Sequence, residues 1–229
     1  MFAYCENNPV NAVDPTGEDA WWLQDTNAVF GCGHTSLLIQ ESKGKWWYFY
    51  WGPNSVKLIY IGTTTLSNLN KYLHKKGEYD QRDSYTKKIH LYGNFYGSLK
   101  YICEVLLHRS VRELKNKGKI GGDVAWNFSY DLLTWNCMQV SATALMHGTF
   151  KYNHRSYIKA LTYARLYTIP NWAYSHMILM QRCFSLYGNS SYNMINRFVD
   201  PWVIEYYNNP NRIHPFILSY LRCIHVRLY

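Results

Sequence analysis

Nowhere does the 229-residue sequence hold an uninterrupted apolar run of about 18 residues, the length a helix needs to cross a bilayer. The N-terminus lacks the basic-then-apolar order of a secretory signal, so neither a spanning helix nor general secretory export is expected. The six cysteines (Cys5, Cys32, Cys103, Cys137, Cys183, Cys223) include no Cys-x-x-Cys and follow no regular spacing, which excludes a zinc ribbon and a disulfide framework. Most are expected to be reduced and buried. A deaminase-type His-x-Glu with Pro-Cys-x-x-Cys is also missing, and no four well-spaced ligands surround Cys32 and His34, so we expect no metal and no cofactor. Repeats and low-complexity tracts are absent. Acidic residues are scarce, 15 against 24 Lys and Arg, for a formal charge of +9 that suits an anionic partner. The basic residues are scattered, however, and a solvated basic surface is the plainer reading.

What the sequence does have is buriable surface. Apolar residues make up 48%, with 9 Trp and 22 Tyr, too much for a disordered chain and enough for one main domain. Residues 21–33 read as irregular. The apolar and aromatic runs 35–40 and 45–51, separated by Glu-Ser-Lys-Gly, predict a hairpin, with 56–61 as a third strand. Leu66, Leu69, Tyr72 and Leu73 recur at helical spacing, and 85–91 can extend as a strand. Asn94 caps a predicted helix that runs to Lys117 and stops at Gly118. After an extended stretch over 126–134, Asn136 and Cys137 open a helix to about His147. The remainder, interrupted by Pro170, Pro201, Pro210 and Pro215, reads as helical. The fold class predicted is α+β: a small antiparallel sheet with helices on one side, followed by a helical C-terminal extension.

Two strings could carry chemistry. Gly31-Cys32-Gly33-His34-Thr35-Ser36 sets a histidine at the mouth of an apolar strand, and Thr134-Trp135-Asn136-Cys137-Met138-Gln139 sets a cysteine at a helix start. Unpaired N–H groups and the positive end of a helix stabilise a thiolate, and a neighbouring imidazolium lowers its pKa further. A strand-borne His beside a helix-capping Cys is the working pair of a papain-like thiol enzyme. Each residue also has a bland reading: Cys137 an inert core thiol, His34 a satisfied structural histidine, Asn136 a plain N-cap, Gln139 an exposed amide. On the functional reading, Asn136 orients the site, and Gln139 joins the Cys137 N–H near a developing oxyanion.

Residues 2–17 resemble the end of the RHS-repeat core of polymorphic toxins, which runs Tyr-x-Tyr-x-x-Asn-Asn-Pro and closes on Asp-Pro-x-Gly. Here Asn7-Asn8-Pro9 and Asp14-Pro15-Thr16-Gly17 carry the likeness. It implies an upstream RHS shell, a variable toxin tip after the junction, a cognate immunity protein, and delivery of an exported effector into a target cell in interbacterial competition. It also implies cleavage near the junction, where Glu18 replaces the usual apolar residue.

The order His first, Asn-Cys later resembles the lecithin:retinol acyltransferase-like group of circularly permuted papain-fold enzymes, over residues 30–148. That resemblance implies a Cys-His hydrolase or acyltransferase with Cys137 as nucleophile and His34 as base, acting on a peptide, an isopeptide or a phospholipid ester. The family places a second polar residue on the strand after the hairpin; this chain has Trp46 to Trp51 there, and Tyr50, or else Tyr48, is the candidate to orient His34. The divisions expected are 1–18 for the junction, 19–150 for the toxin domain and 151–229 for the extension. Two other functions stay open. Positive charge and scattered histidines would suit a nuclease tip, but no compact His/Asn/Asp motif is present and a nucleic-acid partner is not expected. A decayed or non-enzymatic cassette is the other.

Overall fold

The computed structural model describes residues 18–187, apart from 43, 63–64, 79–83, 123–129, 131–134 and 152–153. The RHS-like junction, all but Tyr130 of the stretch expected to extend over 126–134, and the extension beyond 187 lie outside the described residues. In chain order the elements are β1 (Ala20–Asp25), a single turn α1 (Ala28–Gly31), β2 (His34–Ser42), β3 (Lys45–Trp51), β4 (Val56–Gly62), α2 (Leu66–Lys76), β5 (Lys87–Leu91) and β6 (Gly93–Asn94). Next come α3 (Tyr96–Tyr101) with a π-helical turn Ile102–Leu106, α4 (Val111–Lys117), β7 (Lys119–Gly122), α5 (Cys137–Met146), β8 (Thr149–Phe150), α6 (His154–Ala164) and α7 (Pro170–Tyr187).

Six strands form one sheet in the order β5-β1-β2-β3-β4-β7, every neighbouring pair antiparallel, and β6 pairs with β8 apart from it. Alternation along the strands divides the core in two. Trp22, Leu37, Ile39, Trp47, Phe49 and Leu58 face the layer made by α3, α4, α5, α6 and α7. Trp21, Leu23, Leu38, Tyr48 and Ile59 face Leu69 and Leu73 of α2, together with Tyr85. Helices therefore cover both faces, where the sequence suggested one. Strands β1, β2 and β3 are apolar on both sides, and a sheet that apolar has no face to give to water. Trp22 and Trp51 are fully buried. Each withdraws aromatic surface worth about 4–6 kcal/mol gross as an upper bound.

Several elements differ from expectation. Residues 20–25 form a central strand instead of an irregular stretch. The helix expected from Asn94 to Lys117 is broken: His108 takes a left-handed φ of 51°, and α4 starts afresh behind Ser110, whose side chain accepts from Glu113 N–H at 3.1 Å. Ser-x-x-Glu is a helix-start signature, and here it overrides the longer helix. Gly118 does end α4, with a φ of 67°. Helix α5 is buried nearly all round, since it lies between the sheet and the helices that follow it.

Residue 150 marks no break in the packing. Ala160, Leu161 and Ala164 of α6 and Ala173, Met177 and Met180 of α7 are fully buried in the same core as the sheet and α5. The segment set apart as an extension thus begins inside the domain. Replacing Leu161 by Ala should cost about 2–5 kcal/mol in urea unfolding, while Lys71→Ala on the exposed side of α2 should stay within about 0.5 kcal/mol. Equal curves for the two variants would mean that α6 folds apart from the sheet.

Candidate active site

The site is built at the end of the β1–β2 ladder, where Asp25 and His34 are direct cross-strand partners. Asp25 is fully buried. Its carboxylate closes the turn after β1, accepting from Asn27 N–H at 2.9 Å and Ala28 N–H at 3.2 Å, and from Ser84 N–H at 3.0 Å. Directly opposed residues share a face, which puts this carboxylate on the His34 side of the sheet. The turn runs through left-handed conformations at Val29, Phe30 and Gly31, and Gly33 has a φ of 91°. A Cβ on Gly33 would come within 2.3 Å of Asn171 Oδ1 and 2.5 Å of Gln24 Nε2, so glycine is required by both backbone and space.

Those two amides form a knot. Gln24 Nε2 donates to Asn171 Oδ1 at 2.8 Å, and Thr35 Oγ1 donates to Gln24 Oε1 at 2.8 Å. Asn171 Nδ2 donates to Thr26 O at 3.0 Å and Gly31 O at 2.9 Å, and its backbone N–H donates to Cys32 O at 3.0 Å. The start of α7 thereby clamps the turn that presents His34.

His34 is 5% exposed. Its Nε2 lies 3.2 Å from Ser36 Oγ, Ser36 accepts from Tyr85 OH at 2.6 Å, and Tyr85 OH is 2.7 Å from Tyr48 OH. A row of three buried hydroxyls thus backs the imidazole. Tyr50 contributes its ring, with centroids 4.9 Å apart. Its hydroxyl rests over Gly52, where a Cβ would meet it at 2.2 Å. Ser36 thus sets a hydroxyl against the imidazole, and Tyr48 reaches the row through Tyr85.

Cys137 is the first residue of α5. Asn136 caps the helix, its Oδ1 accepting from Met138 N–H at 3.0 Å and Gln139 N–H at 3.2 Å. Gln139 Oε1 accepts in return from Asn136 N–H at 2.9 Å, completing a capping box. Both amides are tied into the segment between α6 and α7: Asn136 Nδ2 donates to Thr168 O at 2.8 Å and Gln139 Nε2 to Arg165 O at 3.2 Å. Gln139 thereby ties the start of α5 to the segment before α7. Thr35 N–H, one residue from His34, donates to Cys137 Sγ at 3.5 Å, while the His34 ring lies with Ser36, Tyr48 and Tyr85 on the face of the sheet opposite to the one α5 covers.

Electrostatics run against the sequence expectation. Burial pushes the Cys137 thiol up to about 11, over the opposing pull of the Thr35 and Met138 N–H groups and the Tyr130 hydroxyl. Burial also pushes His34 down to about 3. Sulfur and ring therefore rest neutral near pH 7; withdrawal from water outweighs the helix tip. Among the described residues no group of three or more His, Cys, Asp or Glu could hold a metal ion. Ser36 could have been found from sequence, since i and i+2 share a strand face. Asp25, Tyr85, Tyr130 and Asn171 left no local signal. No family model matches the chain, and no curated protein and no solved structure matches it.

Two measurements check this geometry. Half-buried Cys32 should be alkylated by iodoacetamide at neutral pH well before buried Cys103 and Cys137, and Tyr130→Ala should speed modification of Cys137, read by peptide mass. Equal rates would reject the buried thiol. The unfolded chain protonates His34 near its ordinary 6.5 and the folded chain only near 3, so the fold loses stability as pH falls through that interval. His34→Gln should flatten that part of the urea-stability profile; an unchanged slope would show that His34 titrates normally.

Proposed function

We propose that the chain is the effector end of an RHS-type polymorphic toxin and that its chemistry is acyl transfer or hydrolysis by Cys137 with His34 as base. The observation that carries this reading is a sulfur on the first residue of α5 receiving the backbone N–H next to His34. A histidine on an early strand and a thiol on a later helix packed against the same sheet also suit a circularly permuted papain-like arrangement.

In this reading the imidazole of His34, whose Nε2 lies against Ser36 Oγ, takes the thiol proton as sulfur attacks the acyl carbon. Ser36 then accepts from both Tyr85 OH and Nε2–H. Backbone N–H groups at the start of α5, that of Cys137 among them, hold the developing oxyanion. The leaving group takes the proton from His34, and water or an acceptor releases the acyl group from sulfur by the reverse transfer. Asp25 supplies negative charge on the face where the imidazolium forms. Because both partners rest neutral, proton transfer belongs to the attack itself, and no preformed ion pair is invoked. The substrate is a peptide, an isopeptide or a phospholipid ester, and a cognate immunity protein is the expected partner.

The test is expression of the wild type, Cys137→Ala and His34→Ala in the cytoplasm and periplasm of a susceptible bacterium, with lipid and cell-wall profiling. Both variants should fold, Cys137→Ala should relieve growth inhibition, and His34→Ala should slow turnover by about 100-fold or more. Undiminished toxicity of a folded Cys137→Ala chain would reject the mechanism.

A further inference from the structure

The contacts made by the Cys137 sulfur are those of an acceptor. Thr35 N–H reaches it at 3.5 Å, Met138 N–H approaches from the first turn of α5, and the hydroxyl of Tyr130 donates to it. The first two are main-chain groups, placed by β2 and by the helix itself. Tyr130 is a side chain, and its half-buried ring packs against the same core that α5 joins.

The phenol is oriented as well as near. Its oxygen accepts from Cys137 N–H while its O–H donates to Cys137 sulfur, so one residue takes both ends of the hydroxyl. An N–H donated to the oxygen polarises the O–H and makes it a better donor. Burial holds Tyr130 well above the ordinary phenol range, with the charge of Tyr50 on β3 acting in the same sense, so the hydroxyl keeps its proton through the neutral range. A group of that kind gives a hydrogen bond and cannot serve as the base.

We propose that Tyr130 is a further catalytic residue, the side-chain donor that holds the negative charge developing on Cys137 sulfur. The proposal rests on Cys137 as the nucleophile of the proposed function. As the S–H proton leaves for His34, the electron pair left on sulfur is met by the Tyr130 O–H, which keeps its own proton while the bond from sulfur to the acyl carbon forms. A hydrogen bond to a charged acceptor is stronger than one to a neutral acceptor, so the contact tightens along the reaction and lowers its barrier. An acyl oxygen arriving at the helix start competes for Cys137 N–H and leaves the bond to sulfur in place.

The test is alkylation of Cys137 by iodoacetamide in the full chain, followed by peptide mass across the neutral to mildly alkaline range. Tyr130→Phe keeps the ring and removes only the donor. It should slow alkylation of Cys137 by about tenfold at each pH, the scale of one hydrogen bond to a charged group, while Cys32 in the same sample reacts as in the wild type. A fluorinated tyrosine placed at 130, a more acidic donor of nearly the same shape, should speed it. Urea-unfolding curves of both chains should match the wild type. Alkylation of Tyr130→Phe at the wild-type rate or faster, or no gain from the fluorinated tyrosine, would overturn the proposal. Growth inhibition separates this failure from that of the reaction itself. A folded Cys137→Ala chain that stays toxic removes the nucleophile, and the catalytic role of Tyr130 with it, whereas a Tyr130→Phe chain that reacts and inhibits like the wild type removes the role of Tyr130 alone.

Discussion

The amide of Gln24 is the point through which the rest is held. One end takes the Thr35 hydroxyl, the other the carboxamide of Asn171, and between them a glycine without room for a methyl group lets the chain pass. Remove that arrangement and the start of α7 no longer meets the β1–β2 turn. His34 would lose its angle of entry into β2, and the Thr35 N–H its aim at sulfur. Net contributions of single hydrogen bonds are modest, about 1 kcal/mol. This group lies largely out of water, however, where an unmatched polar atom costs more than a matched one returns.

Low polarity also decides the character of the sulfur and the imidazole. A helix start and nearby N–H groups favour negative charge on sulfur, but enclosure withdraws the water that would solvate it, and enclosure prevails. The row of hydroxyls behind His34 is consistent with that balance: Ser36, Tyr85 and Tyr48 satisfy one another and one ring nitrogen without adding charge. The nearby carboxylate of Asp25 accepts from the backbone N–H groups of Asn27, Ala28 and Ser84 and so holds the turn in shape.

Much of this was legible in the sequence where the signal was local. The β2–β3 hairpin announced itself by a turn between an aliphatic run and an aromatic one, and α5 by Asn136 and Gln139 in capping register. Residues 20–25 were missed because a strand buried on both faces shows no alternation. The break before α4 was missed because helical periodicity on either side masked a second start at Ser110. Helices on both sides of the sheet followed from the doubly apolar strands, a pattern visible but not weighed. Ser36, against His34 Nε2, stands two residues along the same strand, a spacing that shares a face and is visible in the sequence. Asn171 and Tyr130 were beyond reach, since nothing at either position advertises a contact with a turn or a thiol far away in sequence. Charge state was hidden for a related reason: a sequence shows which helix a cysteine begins, and not how many layers will close over it.

The clamp at Asn171 has a temporal side. Proteins are made from the N-terminus, and domains tend to assemble as their parts emerge. A ribosome that has just added Phe150 has already supplied His34, Ser36, Tyr85 and Cys137, while the segment that braces the β1–β2 turn is still untranslated. On this architecture the β1–β2 turn waits for its brace for as long as translation of the intervening segment takes, and the brace comes on α7, the last helix among the described residues.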